Sequence, residues 1–285
     1  MSRRVAPQWE AMVAQVAELV RRDLTADLST AALSESVHVS AFHFHRIFAA
    51  VTGETPAAFV RRARLERAAK VMAAAPDRRL TDIAFDVGLS SPSELSRSFR
   101  RAHGMAPSDL EPGRRWAGEG AIPEPPDLSG LTEVVSLTAR RLAVVRARGV
   151  IGLHDLSEPY RRLVDWCGEA GLGDAWQLIG ACWDDHETTP LDRIHYEFGA
   201  VVDHDVPIEA PLVERRLPAA TAVVVRCDGP PADAADAWEF LYRTWLPSRG
   251  RVPAHLPSLK LFRERPDQIG WERWHVDCAI ALDPS

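Results

Sequence analysis

The sequence predicts a multidomain chain: an all-α N-terminal domain with two helix-turn-helix motifs, followed by an α+β domain built as a tandem repeat. Three observations carry this. Residues 84–99, AFDVGLSSPSELSRSF, hold a full turn-and-restart signal. Arg46, Phe48, Gly53 and Pro56 recur as Arg97, Phe99, Gly104 and Pro107, all at an offset of 51 residues. Further on, Val144, Val145, Arg146, Gly149 and Tyr160 are answered by Val224, Val225, Arg226, Gly229 and Phe240 at a constant offset of 80.

Bulk properties set the frame. At 285 residues and 46% hydrophobic content the chain can bury two cores. No window approaches ~18 uninterrupted apolar residues, and no signal-like run follows Met1-Ser2-Arg3-Arg4, so a cytoplasmic, nucleoid-associated protein with no membrane partner is expected. Cys167, Cys182, Cys227 and Cys278 show no C-x-x-C pairing, and the ten histidines show no metal-ligand spacing. Isolated buried thiols are therefore expected, with no metal and no cofactor. The net charge of −6 is uneven: residues 1–116 carry 17 basic against 13 acidic residues, and the remainder 17 against 27. A basic half and an acidic half imply separate tasks.

Taken in order, Pro7 to Leu24 places Trp9, Met12, Val13, Val16, Leu19 and Val20 at helical spacing, an amphipathic first helix. Ser29 caps a short second helix, and Ser40 caps a third that runs to Thr52 before Gly53. His38 stands where the second motif has Gly88, and His is among the non-glycine residues that tolerate a positive φ. On the third helix Phe44, Ile47, Phe48 and Val51 point inward, which leaves Ala41, Phe42, His45 and Arg46 facing out. Pro56 opens a long helix from about Ala57 to Ala75 whose apolar residues fall on no single stripe, as expected of a spacer between two subdomains. Its Arg61, Arg62, Arg64 and Arg67 form a basic run.

The second motif begins with Ile83-Ala84, turns at Gly88 and restarts at Ser91-Pro92-Ser93-Glu94, a full capping box in which Glu94 reaches back to the Ser91 amide. Leu95 and Phe99 then face inward, while Ser93, Ser96, Arg97 and Arg100 face out. Small hydroxyls and Arg suit a major groove, because Arg bonds guanine in bidentate fashion and small side chains let the helix sit deep. The expected partner is double-stranded DNA. Ala41, Phe42, His45 and Arg46, with Pro92, Ser93, Ser96 and Arg97, are the expected base readers; Ser40, Arg61, Arg62, Ser91, Arg100 and Arg101 are the expected phosphate contacts. The spacer, at ~1.5 Å per residue, would set the two reading helices on successive major-groove segments.

Residues 7–116 resemble the DNA-binding domain of the AraC/XylS family of transcription regulators, through Phe44, Arg46, Phe48, Gly53 and Pro56 and the segment Ile83-Ala84-Phe85-Asp86-Val87-Gly88-Leu89. The sequence departs from that pattern at His38, Leu89, Leu95 and Glu111, none of them on the expected reading face.

Residues 111–130, EPGRRWAGEGAIPEPPDLSG, read as an interdomain linker, which gives domains 1–112 and 132–285 with 113–131 between them. Each later repeat reads as strand, turn and amphipathic helix. Further strands are expected near Gln177–Trp183, Arg193–Val202, Ser258–Arg263 and Arg273–Leu282. Tandem units of this kind form a cleft along their pseudo-twofold.

This half resembles the GyrI-like effector-binding domain, through Asp184-Asp185, His195-Tyr196-Glu197, Trp245-Leu246-Pro247-Ser248 and the closing Asp277–Leu282 segment. The resemblance implies an aromatic cleft for hydrophobic, often cationic, molecules and a role in multidrug response. The family tends to place a carboxylate where Lys260 stands here. Trp183, Tyr196, Phe198, Trp245, Lys260, Phe262 and Trp271 are the expected lining, and Trp166, Trp238 and Trp274 are expected as core. Lys260 shares its strand face with Phe262, opposite Leu259 and Leu261, so the expected effector is small, hydrophobic, and neutral or anionic. The implied function is non-enzymatic: DNA binding controlled by that effector. The alternatives are a hydrolase of reactive natural products, which needs a Tyr and carboxylates on one pocket, and a ligand-free module that contacts a partner such as RNA polymerase.

Overall fold

The computed structural model describes residues 7–109, 124–148, 153–182 and 195–284. The chain divides into two compact units, one helical and one α+β, and each is described by itself.

The helical unit contains α1 (Pro7–Arg22), α2 (Thr30–Ser36), α3 (Ala41–Thr52), α4 (Pro56–Ala74), α5 (Leu80–Asp86) and α6 (Pro92–His103). Its internal repeat is exact at the level of elements: α3 and α6 begin and end 51 residues apart, and α2 and α5 begin and end 50 apart. The cause is shared local chemistry. Ser29, Ser40 and Ser91 each accept a hydrogen bond from the helix amide three residues on. Gly53 and Gly104 close α3 and α6 at φ 78° and 73°. The capping box differs from expectation by one residue. Glu94 Oε2 accepts from the Ser90 amide at 2.9 Å and the Ser90 hydroxyl at 2.6 Å, so two donors converge on it where the Ser91 amide would have supplied one.

In the first half of this unit Met12, Val13, Val16 and Val20 of α1 pack with Leu33, Phe44, Phe48 and Phe59. Burial on α4 runs round the helix, through Phe59, Val60, Leu65, Ala68, Ala69, Val71 and Met72, because neighbours cover it on more than one side. Two contacts meet at the Leu24 carbonyl just after α1, one from α4 and one from the second motif. Arg64 donates Nε to the Leu24 carbonyl at 3.0 Å. Gly88, at φ 77°, lies on that same carbonyl so closely that a Cβ there would stand 2.1 Å from Leu24 O. Its counterpart His38 holds φ 55°, the one positive φ on a non-glycine residue among those described.

The α+β unit is a single antiparallel sheet of eight strands: β1 (Thr132–Leu137), β2 (Arg140–Arg148), β3 (Leu178–Cys182), β4 (His195–Val201), β5 (Val213–Leu217), β6 (Ala220–Gly229), β7 (Ser258–Glu264) and β8 (Trp274–Ala281). The order β1-β6-β8-β7-β3-β4-β2-β5 becomes its own reverse when each strand is exchanged for its equivalent four places away. The pseudo-twofold therefore passes between β3 and β7. There Gly180 pairs with Lys260, and these two are themselves 80 residues apart. β1 and β5 went unpredicted; both are edge strands, β1 without clean alternation and β5 alternating in burial but with Arg215 at an inward position.

The helices α7 (Leu153–Glu169) and α8 (Pro231–Phe240) cover one face of the sheet, where Tyr160, Leu163, Phe198, Val223, Val225, Ala237 and Phe240 form the larger core. On the other face Leu142, Val144, Ile179, Val224, Leu259 and Ala279 form a smaller one. Both sheet faces are thus buried near the axis, and strand alternation decides which residues meet which core.

Candidate functional site

In the helical unit the expected readers lie on the outer side of their helices. Ala41, Phe42, His45 and Arg46 are exposed on α3, with Phe42 at 66%. The Arg46 guanidinium lies over the Phe42 ring at 5.7 Å from its centroid, so the two side chains brace one another. On α6 Ser93 and Arg97 are exposed, while Pro92 and Ser96 are half-buried. Arg61, Arg100 and Arg101 are exposed. Ser40 and Ser91 hold the two helix N-termini, a position whose remaining amides suit a phosphate.

Arg62 is a correction. Its guanidinium donates to Glu54 through Nε at 3.2 Å and Nη2 at 2.8 Å, and to Glu66 through Nη1 at 2.7 Å. It also lies over the Phe59 ring at 5.2 Å. A charge held by two carboxylates and packed on a ring fastens the start of α4 to Glu54 before it, which leaves the Arg62 guanidinium engaged and poorly placed for a phosphate.

In the α+β unit the distinctive feature is Lys260. Its ammonium stands 4.9 Å from the Tyr196 ring centroid, 5.3 Å from that of Trp274 and 5.9 Å from that of Trp238. Tyr196 comes from β4, Trp274 from β8 and Trp238 from α8, so the cage exists only once the sheet has closed around the axis. Among the described residues Lys260 has no carboxylate and no hydrogen-bond acceptor. Burial lowers its pKa from the ordinary lysine value, opposed by the nearby thiols of Cys278, Cys182 and Cys227. Two further donors point nowhere among the described residues: the buried Tyr196 hydroxyl and Trp274 Nε1. Gly180 makes the arrangement possible, because a Cβ there would stand 2.0 Å from the Tyr196 hydroxyl oxygen.

The rings continue away from Lys260. Tyr196 meets Phe198 edge-on at 4.9 Å, Phe198 meets Tyr160 at 5.3 Å, and Tyr160 meets Trp271 at 5.2 Å. Phe262 packs on Trp274 at 5.8 Å and is itself buried, so it backs the cage wall. Tyr196, Phe198, Lys260, Phe262 and Trp271 are thus brought together. Trp245 is half-buried on the turn after α8 and shares no ring contact with this group among the described residues. Trp183, like Asp184 and Asp185, lies outside the described residues. Sequence reasoning assigned Trp238 and Trp274 to ordinary core and passed over Tyr160. The available signal was Lys260 itself, since a half-buried ammonium without a carboxylate is favoured by ring faces around it.

The opposite sheet face holds the carboxylate. Glu197 is buried and accepts from Arg146 Nε at 3.0 Å and from Arg215 Nη2 at 2.6 Å. It belongs to the smaller core and not to the cage, as alternation with Tyr196 requires. Tyr160 donates instead to Asp267, which Arg265 also holds; burial first, and this carboxylate second, push the phenol above its ordinary pKa. The cysteines are buried thiols as expected, but two of them are not isolated. All four are free and buried, yet Cys227 Sγ lies 4.0 Å from Cys278 Sγ, so these two form a pair across β6 and β8.

A family model described as a GyrI-like small molecule binding domain matches residues 131–280, and one described as a helix-turn-helix domain matches residues 33–111. The probable transcriptional regulator LumQ of Photobacterium leiognathi is 34% identical over 89 residues; the match covers 31% of this chain and 36% of that protein. A probable AraC family transcriptional regulator from Rhodopseudomonas palustris superposes at a TM-score of 0.32 with 25% identity, over 34% of this chain and 92% of the other. A hydrolase from Listeria innocua superposes at a TM-score of 0.41 with 11% identity, over 53% of this chain and 91% of the other.

Proposed function

Because the chain belongs to the family of GyrI-like small molecule binding domains and is a transcription regulator with an AraC-type helix-turn-helix domain, we propose that a small hydrophobic effector, neutral or anionic, binds beside Lys260 and controls sequence-specific reading of double-stranded DNA by α3 and α6. In this reading residues 1–112 bind DNA, 113–131 link, and 132–285 sense the effector. The observation that carries it is the Lys260 cage: three ring faces, three donors and no acceptor among the described residues. An ammonium already inside the rings repels a second cation, while the donors favour a molecule that brings acceptors. The hydrolase alternative is less well supported, since Glu197 is locked to two arginines on the far sheet face and Asp267 is held by Arg265.

The test is thermal unfolding of the full chain against aromatic carboxylates, neutral aromatics and lipophilic cations. A ligand at about 100 times its Kd adds about 2.7 kcal/mol, a rise of several degrees. The first two classes should raise Tm and the cations should not, whereas in Lys260→Glu the cations should. No shift from any class, in either protein, would overturn effector binding and favour the module that contacts RNA polymerase unliganded.

A further inference from the structure

Resting on the reading of the Lys260 cage as an effector site, the geometry points to a covalent mode of sensing: we propose that Lys260 takes an aldehyde or ketone with an apolar body, and holds it as an imine. Four observations lead there. The amine sits among Tyr196, Trp238 and Trp274 with no carboxylate to hold it as an ammonium among the described residues. Burial enlarges the neutral, nucleophilic fraction of this amine relative to a solvent-exposed lysine, while the ammonium stays the form the rings hold. The Tyr196 hydroxyl and Trp274 Nε1 are donors without an acceptor among the described residues, and a carbonyl oxygen is one. Finally, Lys70 and Lys260 are the only lysines in a chain whose other basic positions are all Arg. Arg would serve a plain cationic role in the cage, but it does not deprotonate and forms no imine.

The chemistry closes without a co-reactant. The neutral amine adds to the carbonyl carbon, the carbonyl oxygen takes a proton, and a carbinolamine results. Loss of that hydroxyl with the remaining N–H proton releases one water and leaves the C=N bond. When the imine is protonated, its positive charge meets the ring faces that now surround the ammonium. Gly180, the pseudo-twofold counterpart of Lys260, cannot supply a second amine, so one carbonyl is bound per chain.

The experiment treats the full-length protein with 3-phenylpropanal and sodium cyanoborohydride, followed by peptide mass mapping. Each trapped imine adds the mass of the aldehyde less one oxygen atom. Lys70 is an internal reference in the same molecule. Lys260 should be labelled severalfold more than Lys70, in the direction that burial shifts its amine. The preference should vanish in urea, and Lys260→Arg should lose the adduct. Equal labelling of the two lysines, or labelling confined to Lys70 and the N-terminal amine, overturns the proposal even if the variant misfolds. Thermal unfolding with 3-phenylpropan-1-ol, which forms no imine, separates the two readings. A Tm rise with the alcohol and no Lys260 adduct with the aldehyde leaves the cleft standing and sinks the covalent mode. No rise and no adduct sinks both.

Discussion

Arg46 and Arg97 occupy the same register position on α3 and α6, both exposed, and Arg46 is braced on Phe42. If each reads a base edge, Arg46→Ala and Arg97→Ala should each lose about 1–3 kcal/mol of discrimination between an operator and its single-pair variants in binding titrations. Unchanged preference in both variants would remove α3 and α6 as readers. A second pair of residues tests the packing. Gly88→Ala would drive a Cβ to 2.1 Å from the Leu24 carbonyl oxygen, a backbone atom that cannot swing aside, whereas Gly53 has nothing within 4 Å. Both are left-handed, so Gly53→Ala should cost about 1–2 kcal/mol from backbone strain alone. Gly88→Ala should cost clearly more in denaturant unfolding; equal losses would mean that the Leu24 contact contributes nothing.

At the scale of elements, α6 depends on the cluster before its first turn. The Ser90 hydroxyl and amide both donate to Glu94, and these bonds hold its carboxyl below the usual range against an opposing burial, with Arg64 and then Arg97 adding lesser contributions. A carboxyl whose pKa falls on folding contributes stability above its unfolded value, and loses it as pH falls through the folded one. Glu94→Gln should therefore be less stable than wild type at neutral pH, with the gap closing on acidification below the ordinary carboxylate range. A gap that does not change with pH would show that charge is irrelevant there. Ser91→Ala, which removes the cap to the Glu94 amide, should cost about 1 kcal/mol.

Across the whole molecule, one chain carries two reading helices joined by α4, whose 19 residues span about 28 Å at ~1.5 Å each. A duplex turn is about 34 Å. A single copy should then protect about two helical turns in footprinting, and native mass spectrometry should find one protein per site. A requirement for two copies would remove α4 as the spacer. The α+β unit repeats the same economy by duplication: Arg146–Glu197 and Arg226–Asp277 are register partners on β2–β4 and β6–β8 and are equivalent at the offset of 80. Lys260 and Gly180 are where the two copies differ at the axis itself, and that difference makes the cage.

Offsets of 51, 50 and 80, serine caps, closing glycines and strand alternation were all in the sequence, because each is set by residues within a turn or two of one another. They determined both helix-turn-helix motifs, the tandem α+β repeat, and the strand face on which Lys260 lies. What surrounds Lys260 was decided only by tertiary structure, since Tyr196, Trp238 and Trp274 come from three elements that meet after the sheet closes. Arg62 read as one of a basic run, but Glu54, eight residues before it, and Glu66, one turn after, claim its guanidinium when α4 packs. β1 and β5 lie at the sheet edges; exposed residues interrupt the alternation of β1, and in β5 the buried Arg215 takes an inward place where the sequence pattern calls for an apolar residue. Local spacing fixes which face a side chain takes; only the closed fold determines which other side chains share it.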